Sequence, residues 1–169
     1  MRYQLIQLLI STRDGIFAAH YSGKGLAGLT FPAPARTGRR RGSGAPRNVP
    51  AVVRRWHQKT VAALKRALAG RTPGTLPPLA VSNGTAFQRR VWHAMRKIAC
   101  GQTQSYGEIA RAIGKPKAIR AVGGACGANS IPVLIPCHRV LAAERKIGGF
   151  SGGLKWKRTL LAREGAKFQ

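Results

Sequence analysis

The stretch Asn129-Ser-Ile-Pro-Val-Leu-Ile-Pro-Cys-His-Arg-Val140 limits what this chain can build more than any other. An apolar run, Ile131 to Ile135, leads into Pro136, and one cysteine, one histidine and one arginine follow at once. Such a run predicts a strand. Pro136 has no N–H to give to a ladder, so it suits the strand's end rather than its middle. The strand would then stop at a reactive group, Cys137, with His138 as a neighbouring base and Arg139 as a source of positive potential. The thiolate is the nucleophile in cysteine chemistry, and positive surroundings lower a thiol pKa from its usual value of about 8.5. Taken alone, a Cys–His dipeptide is more often a buried structural cysteine beside a surface histidine, because buried cysteine packs as a small hydrophobe. The rest of the chain argues for chemistry.

Thirty Lys and Arg face only Asp14, Glu108, Glu144 and Glu164, a formal net charge of +26 over 169 residues. That balance implies a polyanionic partner, with nucleic acid the first candidate. An anionic membrane surface is the competing reading, but the chain has no long basic amphipathic helix and no lipidation motif. A lineage with arginine-rich proteins would also account for part of the excess. Cys100, Cys126 and Cys137 are odd in number and lack C-x-x-C spacing, which argues against a zinc site and against a secreted disulfide framework. The run Leu5 to Ile10 is too short for a membrane span, and no targeting segment is evident.

Three β-type runs, Tyr3–Ser11, Gly15–Tyr21 and Leu26–Phe31, are separated by Asp14-Gly15 and by Ser22-Gly23-Lys24-Gly25, which read as hairpin turns. Residues 32–50 turn to Pro, Gly and Arg and read as a solvated loop. Its arginines at 36–47 are available for phosphates, although a charged loop without a specific role explains them as well. Val53, Trp56, Val61, Leu64 and Leu68 follow helical spacing over Ala51–Ala69, and Gly70 ends that helix. Pro73, Pro77 and Pro78 mark a boundary near 71–83, giving expected domains at 1–75 and 80–169.

The second half is punctuated more clearly. Thr85-x-x-Gln88 is a capping box opening a helix with Phe87, Val91, Met95 and Ile98 on one face. Ser105-Tyr-Gly-Glu108 is another, starting a short helix that Gly114 stops. Pro116 suits the first turn of a further helix, Lys117 to about Gly127. Two short helices joined by a tight glycine-containing turn read as a helix-turn-helix, or equally as an ordinary helical hairpin. The second of them is almost bare: Ala121, Gly123, Gly124, Ala125, Gly127 and Ala128. Long side chains are wanted to read base edges in the major groove. A bare helix instead fits the minor groove, with Arg120 as a wedge into the base stack. Cys126 reads as packing, and Cys100 lacks a neighbouring base. The segment Ile147-Gly-Gly-Phe-Ser-Gly-Gly-Leu154 lacks the Gly-Lys-Ser/Thr of a phosphate-binding loop and reads as a flexible cover over a pocket. A helix, Lys155 to Arg163, follows. Glu164 stands at its C-terminus, where the helix dipole disfavours an acid. Pairing with a local Lys or Arg is one account of that placement, and a role in orienting His138, in a Cys–His–Glu relay, explains it better.

Ile135-Pro-Cys-His-Arg-Val140, with Ser105-Tyr-Gly, Arg120-Ala-Val-Gly, Asn129 and Gly149-Phe-Ser-Gly-Gly-Leu154, resembles the O6-alkylguanine-DNA alkyltransferases, the methylated-DNA–protein-cysteine methyltransferases. The similarity runs almost continuously from Gly84 to Gly165. It implies an α/β (α+β) fold, with a small ribonuclease-H-like sheet-and-helix domain before a mostly helical domain carrying a helix-turn-helix, an active-site strand and a loop. It also implies that Cys137 takes the alkyl group from O6 of guanine, or from O4-alkylthymine, in a single irreversible event. His138 would receive the thiol proton through a water, Glu164 would hold its tautomer, and Asn129 would brace the turn. The target base would be flipped out of the duplex. Tyr106 would contact it and Arg120 would fill the gap. The carbonyls of Cys137 and Val140 would accept from the exocyclic amine, and Ser151 would face O6 beside Phe150. Ser105, Ala121, Gly123, Arg139 and Gly152 complete the expected substrate- and DNA-facing set. No cofactor or metal is implied. The partner is double-stranded DNA carrying O6-alkylguanine, with no membrane, and the chain is expected to act as a monomer. Its place would be the cytoplasm of a bacterium or the nucleus of a eukaryote. The chain departs from the family pattern at Ser130 (usually Pro), at Ala142-Ala-Glu-Arg-Lys146 (usually a Gly turn) and at Phe150 (often Tyr). A lesion sensor of the alkyltransferase-like type is the alternative, but those proteins lack the acceptor cysteine that Cys137 supplies here. A Cys–His hydrolase is weaker, because it leaves the bare basic helix without a purpose.

Overall fold

The computed structural model describes residues 5–33 and 48–169. The arginine-rich segment at 36–47 lies outside the described residues. The expected mixed α/β fold is found, built among the described residues on a three-stranded sheet and five α-helices.

Strands β1 (Ile6–Thr12), β2 (Gly15–Ser22) and β3 (Gly25–Thr30) form an antiparallel meander in that order. The first turn closes where Asp14 donates its backbone N–H to Thr12 Oγ1 (3.1 Å) and Thr12 Oγ1 donates to Gly15 O (2.8 Å). Gly15 has φ 116°, a conformation that disfavours side chains, which is why Asp-Gly signals such a turn. Alternation in β2 buries Phe17, Ala19 and Tyr21. Helix α1 (Ala51–Leu68) buries Val53, Leu64 and Leu68, the apolar stripe its periodicity predicts.

Helix α2 (Ala86–Arg96) opens with the predicted capping box: Gln88 N–H donates to Thr85 Oγ1 (3.2 Å), and Thr85 N–H donates to Gln88 Oε1 (2.8 Å). Its buried stripe of Val91 and Met95 includes Trp92, whose indole N–H donates to Ala125 O (2.8 Å) and ties α2 to the bare helix. Helix α3 (Tyr106–Ala112) carries the second box, on Ser105 and Glu108. Helix α4 (Ile119–Gly127) begins two residues later than Lys117, so Pro116 precedes it instead of occupying its first turn. Helix α5 is Leu154–Arg163. Two two-residue strands, β4 (Gln104–Ser105) and β5 (Val140–Leu141), pair in parallel between these helices.

The two halves share one buried cluster, running from Phe17 and Leu64 to Met95, Val122 and Ile135. Backbone bonds join them as well. Leu26 N–H donates to Pro78 O (2.8 Å), Ala80 N–H to Leu26 O (2.7 Å), and Leu29 N–H to Ser130 O (2.8 Å). Arg163 adds a bidentate pair with Asp14, at 2.8 and 2.7 Å. No helix of the described residues is long and apolar enough to cross a membrane.

One expected element is absent. Ile131–Ile135 is not a strand but a tight turn in which Ile135 N–H donates to Ile131 O (2.9 Å) and Val133 takes φ 73°. Pro132 and Pro136 remove two ladder donors. Asn129 then supplies the turn's partners from its side chain: Oδ1 accepts from Ile131 N–H (3.0 Å), and Nδ2 donates to Ile135 O (2.9 Å). The apolar run is buried, as a strand's would be, but its backbone is satisfied locally.

Candidate functional site

This turn delivers Cys137 to the start of a short 3-10 segment, Cys137–Arg139, all three residues of which are buried. Asn129 Nδ2 donates to Cys137 Sγ (3.2 Å) as well as to Ile135 O, so one amide fixes both turn and sulfur. Burial pushes the Cys137 thiol above its ordinary value; the Asn129 hydrogen bond and the Lys157 charge act the other way.

His138 is 1% exposed, and its Nε2 lies 2.9 Å from Glu164 Oε1. Burial favours protonating Glu164, but hydrogen bonds from His138 and Arg139 outweigh it and hold the carboxyl at about 2. An ionised Glu164 can only accept, so His138 donates from Nε2. That leaves Nδ1 as the unprotonated nitrogen, buried and unpartnered among the described protein atoms. Burial lowers the His138 pKa despite the carboxylate, so the ring is a neutral base.

Arg139 differs from expectation. It points inward, not toward DNA: Nε and Nη2 donate to Glu164 (2.9 Å each), and Nη1 donates to Ile98 O (2.7 Å). Its charge is engaged by the carboxylate, which also accepts from Gly101 N–H at 3.3 Å. The cation that acts on Cys137 is Lys157 of α5, a residue the sequence reading missed. Lys157 is wholly buried, and its ammonium donates to Val140 O (2.7 Å) and Gly149 O (3.1 Å). Nothing in sequence separates it from Lys155 and Arg158 beside it, apart from its place on the buried side of an amphipathic helix.

A cavity of about 200 Å³ opens over Cys137, lined by Tyr106, Gly123, Cys126, Gly127, Gly149, Phe150 and Ser151. Cys126, read as packing, packs through its sulfur on Met95 Sδ (3.5 Å) and also lines this cavity. A Cβ added at Gly123, Gly124 or Gly127 would meet nothing within 4 Å, so α4 presents bare backbone to the outside, with Arg120 and Ala121 exposed beside it. Phe150 stands edge-on to Phe31 beyond β3 (5.7 Å, 74°) and to His138 (6.5 Å, 84°). Gly152 is required there, because a Cβ would come within 2.5 Å of the Phe31 ring. The sheet thus shapes the loop over the cavity.

Two of the three departures from the family pattern have a local account. Ser130 contributes its carbonyl to β3, a bond proline would also make. Glu144 and Arg145 adopt φ 58° and 59°, forming without glycine a turn that Ala142 N–H and Lys146 O close at 2.8 Å.

Residues 86–166 match the family described as 6-O-methylguanine DNA methyltransferase, DNA binding domain. A methylated-DNA–protein-cysteine methyltransferase of Mycolicibacterium paratuberculosis is 57% identical over 81 residues, 48% of this chain and 49% of that protein. One from Haemophilus influenzae is 54% identical over 81 residues, 48% of this chain and 45% of that protein. The bifunctional transcriptional activator/DNA repair enzyme Ada of Escherichia coli is 53% identical over 93 residues, 55% of this chain and 26% of its own length. The chain thus spans about half or less of the curated relatives it matches. The fold extends the similarity to both halves. Mycobacterium tuberculosis OGT, solved in complex with DNA, superposes with a TM-score of 0.72 at 35% identity, covering 93% of this chain and 91% of that one. With the cysteine turn, its histidine and its glutamate on a scaffold shared over nearly the whole length, this chain belongs to the O6-methylguanine-DNA methyltransferase family.

Proposed function

We propose that this protein repairs DNA by direct reversal, moving the alkyl group from O6-alkylguanine to Cys137 Sγ in one irreversible step. The observation that carries this reading is a buried thiol, held by Asn129, that opens into the cavity beside a neutral histidine whose other nitrogen is fixed by Glu164. His138 Nδ1 takes the thiol proton through a water. Cys137 Sγ attacks the alkyl carbon, the C–O6 bond breaks, and guanine leaves with a proton restored to the base. Among the described residues none near Cys137 could reverse the thioether, so one molecule repairs one lesion. Tyr106 contacts the flipped base, Arg120 enters the vacated stack, and the carbonyls of Cys137 and Val140 accept from the exocyclic amine. Ser151 faces O6, with Phe150 and Gly152 in the covering loop. Ser105, Ala121 and Gly123 lie along the DNA-facing helices, whose bare surface suits the minor groove. The protein works as a monomer, with domains at 1–75 and 80–169, in the compartment that holds its DNA.

The test is peptide mass spectrometry after mixing with excess duplex carrying O6-methylguanine. One methyl on the Cys137 peptide per lesion repaired is expected, and Cys137→Ala retains duplex binding without transfer. Tight lesion binding with no mass change makes the protein a damage sensor and overturns the assignment.

A further inference from the structure

Lys157 is the one buried cation beside the nucleophile, among the described residues, that the proposed chemistry does not use. Buried lysine is rare unless it is paired. Among the described residues no carboxylate pairs with this one: Glu164 is taken by His138 and Arg139, Asp14 by Arg163, and Glu144 by Lys146. Its ammonium instead bridges two carbonyls, Val140 O on β5 and Gly149 O at the start of the covering loop. Gly149 lines the cavity over Cys137, and Val140 lies three residues beyond that cysteine, so the two bonds tie the covering loop to the active-site segment. Two hydrogen bonds to neutral acceptors leave one ammonium proton and the whole charge uncompensated.

The titratable groups facing Lys157 are Cys137 and His138 from the active-site turn and Cys126 from α4. Neither thiol carries charge while protonated. Burial pushes Cys126 up to about 12, so the anion that forms next to Lys157 below that range is the Cys137 thiolate.

We propose that Lys157 is a positioning residue for alkyl transfer: it clamps the Val140 carbonyl to the covering loop and supplies the positive charge against which the Cys137 thiolate forms. This rests on the alkyl-transfer reading above. Burial lowers Lys157 to about 8, which the neighbouring thiols oppose, so near neutral pH it is protonated and able to act. The same charge disfavours protonation of His138, which keeps the base free. Arg139, nearer in sequence, does not fill this role because its charge is consumed by Glu164.

Alkylation of Cys137 by iodoacetamide, followed by mass spectrometry of its peptide across pH 6 to 10, reads the thiolate directly and needs no DNA. Lys157→Met is expected to move the midpoint of that profile up by about one pH unit or more, slowing the reaction about tenfold at neutral pH. Lys157→Arg, which keeps the charge, is expected to restore most of it. A uniform loss of rate with the midpoint unmoved would show a merely structural lysine and overturn the proposal. If the methionine variant fails to fold, the intact protein still decides. An NMR titration of the Lys157 side chain must give a higher midpoint with free Cys137 than with methylated Cys137, and equal midpoints overturn the proposal. Transfer from O6-methylguanine duplex is measured on the same wild-type sample. Failure there refutes the repair function while leaving the thiol profile to judge Lys157.

Discussion

Replacing Glu164 by glutamine tests how the site is held together. The carboxylate is 1% exposed and accepts from His138, Arg139 and Gly101. Glutamine keeps its size but turns one oxygen into an NH2 donor facing donors, and it leaves Arg139 as a buried, unpaired cation. Breaking a buried pair by removing one partner costs roughly 3–5 kcal/mol. The depressed pKa of Glu164 gives a second route to the figure. Glu164 falls from an ordinary 4.5 to about 2 on folding. A difference of roughly 2.5 pH units at about 1.4 kcal/mol each is about 3 kcal/mol. Because the folded pKa is depressed, that stability is present above pH 4.5 and is lost as pH falls toward about 2. Urea unfolding at pH 7 should therefore place Glu164→Gln about 3 kcal/mol below wild type, with transfer strongly slowed because His138 loses its fixed tautomer. At pH 3 the gap should narrow, because wild type has by then lost part of what the variant never had. A variant within about 1 kcal/mol of wild type at pH 7, or a gap that does not change with pH, would refute this account.

Asn129→Ala removes bonds to Ile131 N–H, Ile135 O and Cys137 Sγ and strands the first two in a buried turn. A loss of about 2–4 kcal/mol in chemical denaturation is expected, with a higher Cys137 thiol pKa by iodoacetamide profile. Arg120→Ala should leave stability within about 0.5 kcal/mol, since Arg120 is exposed, yet slow repair in duplex far more than reaction with the free base. Equal loss on both substrates rules out the stacking role. Arg145→Gly relieves a left-handed residue and should raise stability by about 0.5–1 kcal/mol in urea melts. Asp14→Asn breaks the partly exposed bidentate pair with Arg163 and should cost about 1 kcal/mol in thermal unfolding, with no change in the transfer rate of folded protein.

Local rules were legible wherever the chain satisfies its backbone with neighbours. Thr85 with Gln88 and Ser105 with Glu108 announced two helices, Asp14-Gly15 announced a hairpin, and the orphan acid Glu164 announced a partner for His138. The reading failed where a side chain takes over the work of secondary structure. Ile131–Ile135 has the composition of a strand, and only Asn129, which satisfies the turn from outside the apolar run, makes it otherwise. It failed again for the two cations of the site. Arg139 stands close to Cys137 in sequence, but long side chains choose partners in space, and this one chooses Glu164. Lys157 is one of thirty basic residues, and its burial arises only from packing α5 against β5 and the covering loop.

The bond between Asp14 and Arg163 spans 149 residues of sequence and adjoins the glutamate that orients the histidine. Contacts of such separation close late, because the entropy of the intervening loop must be lost first. Helix α5, which carries Lys157 and ends just before Glu164, therefore gains its anchor on the opening hairpin late. Before α5 docks, Cys137 has neither its cation nor an oriented base, so the acceptor and its machinery come together as one event of folding.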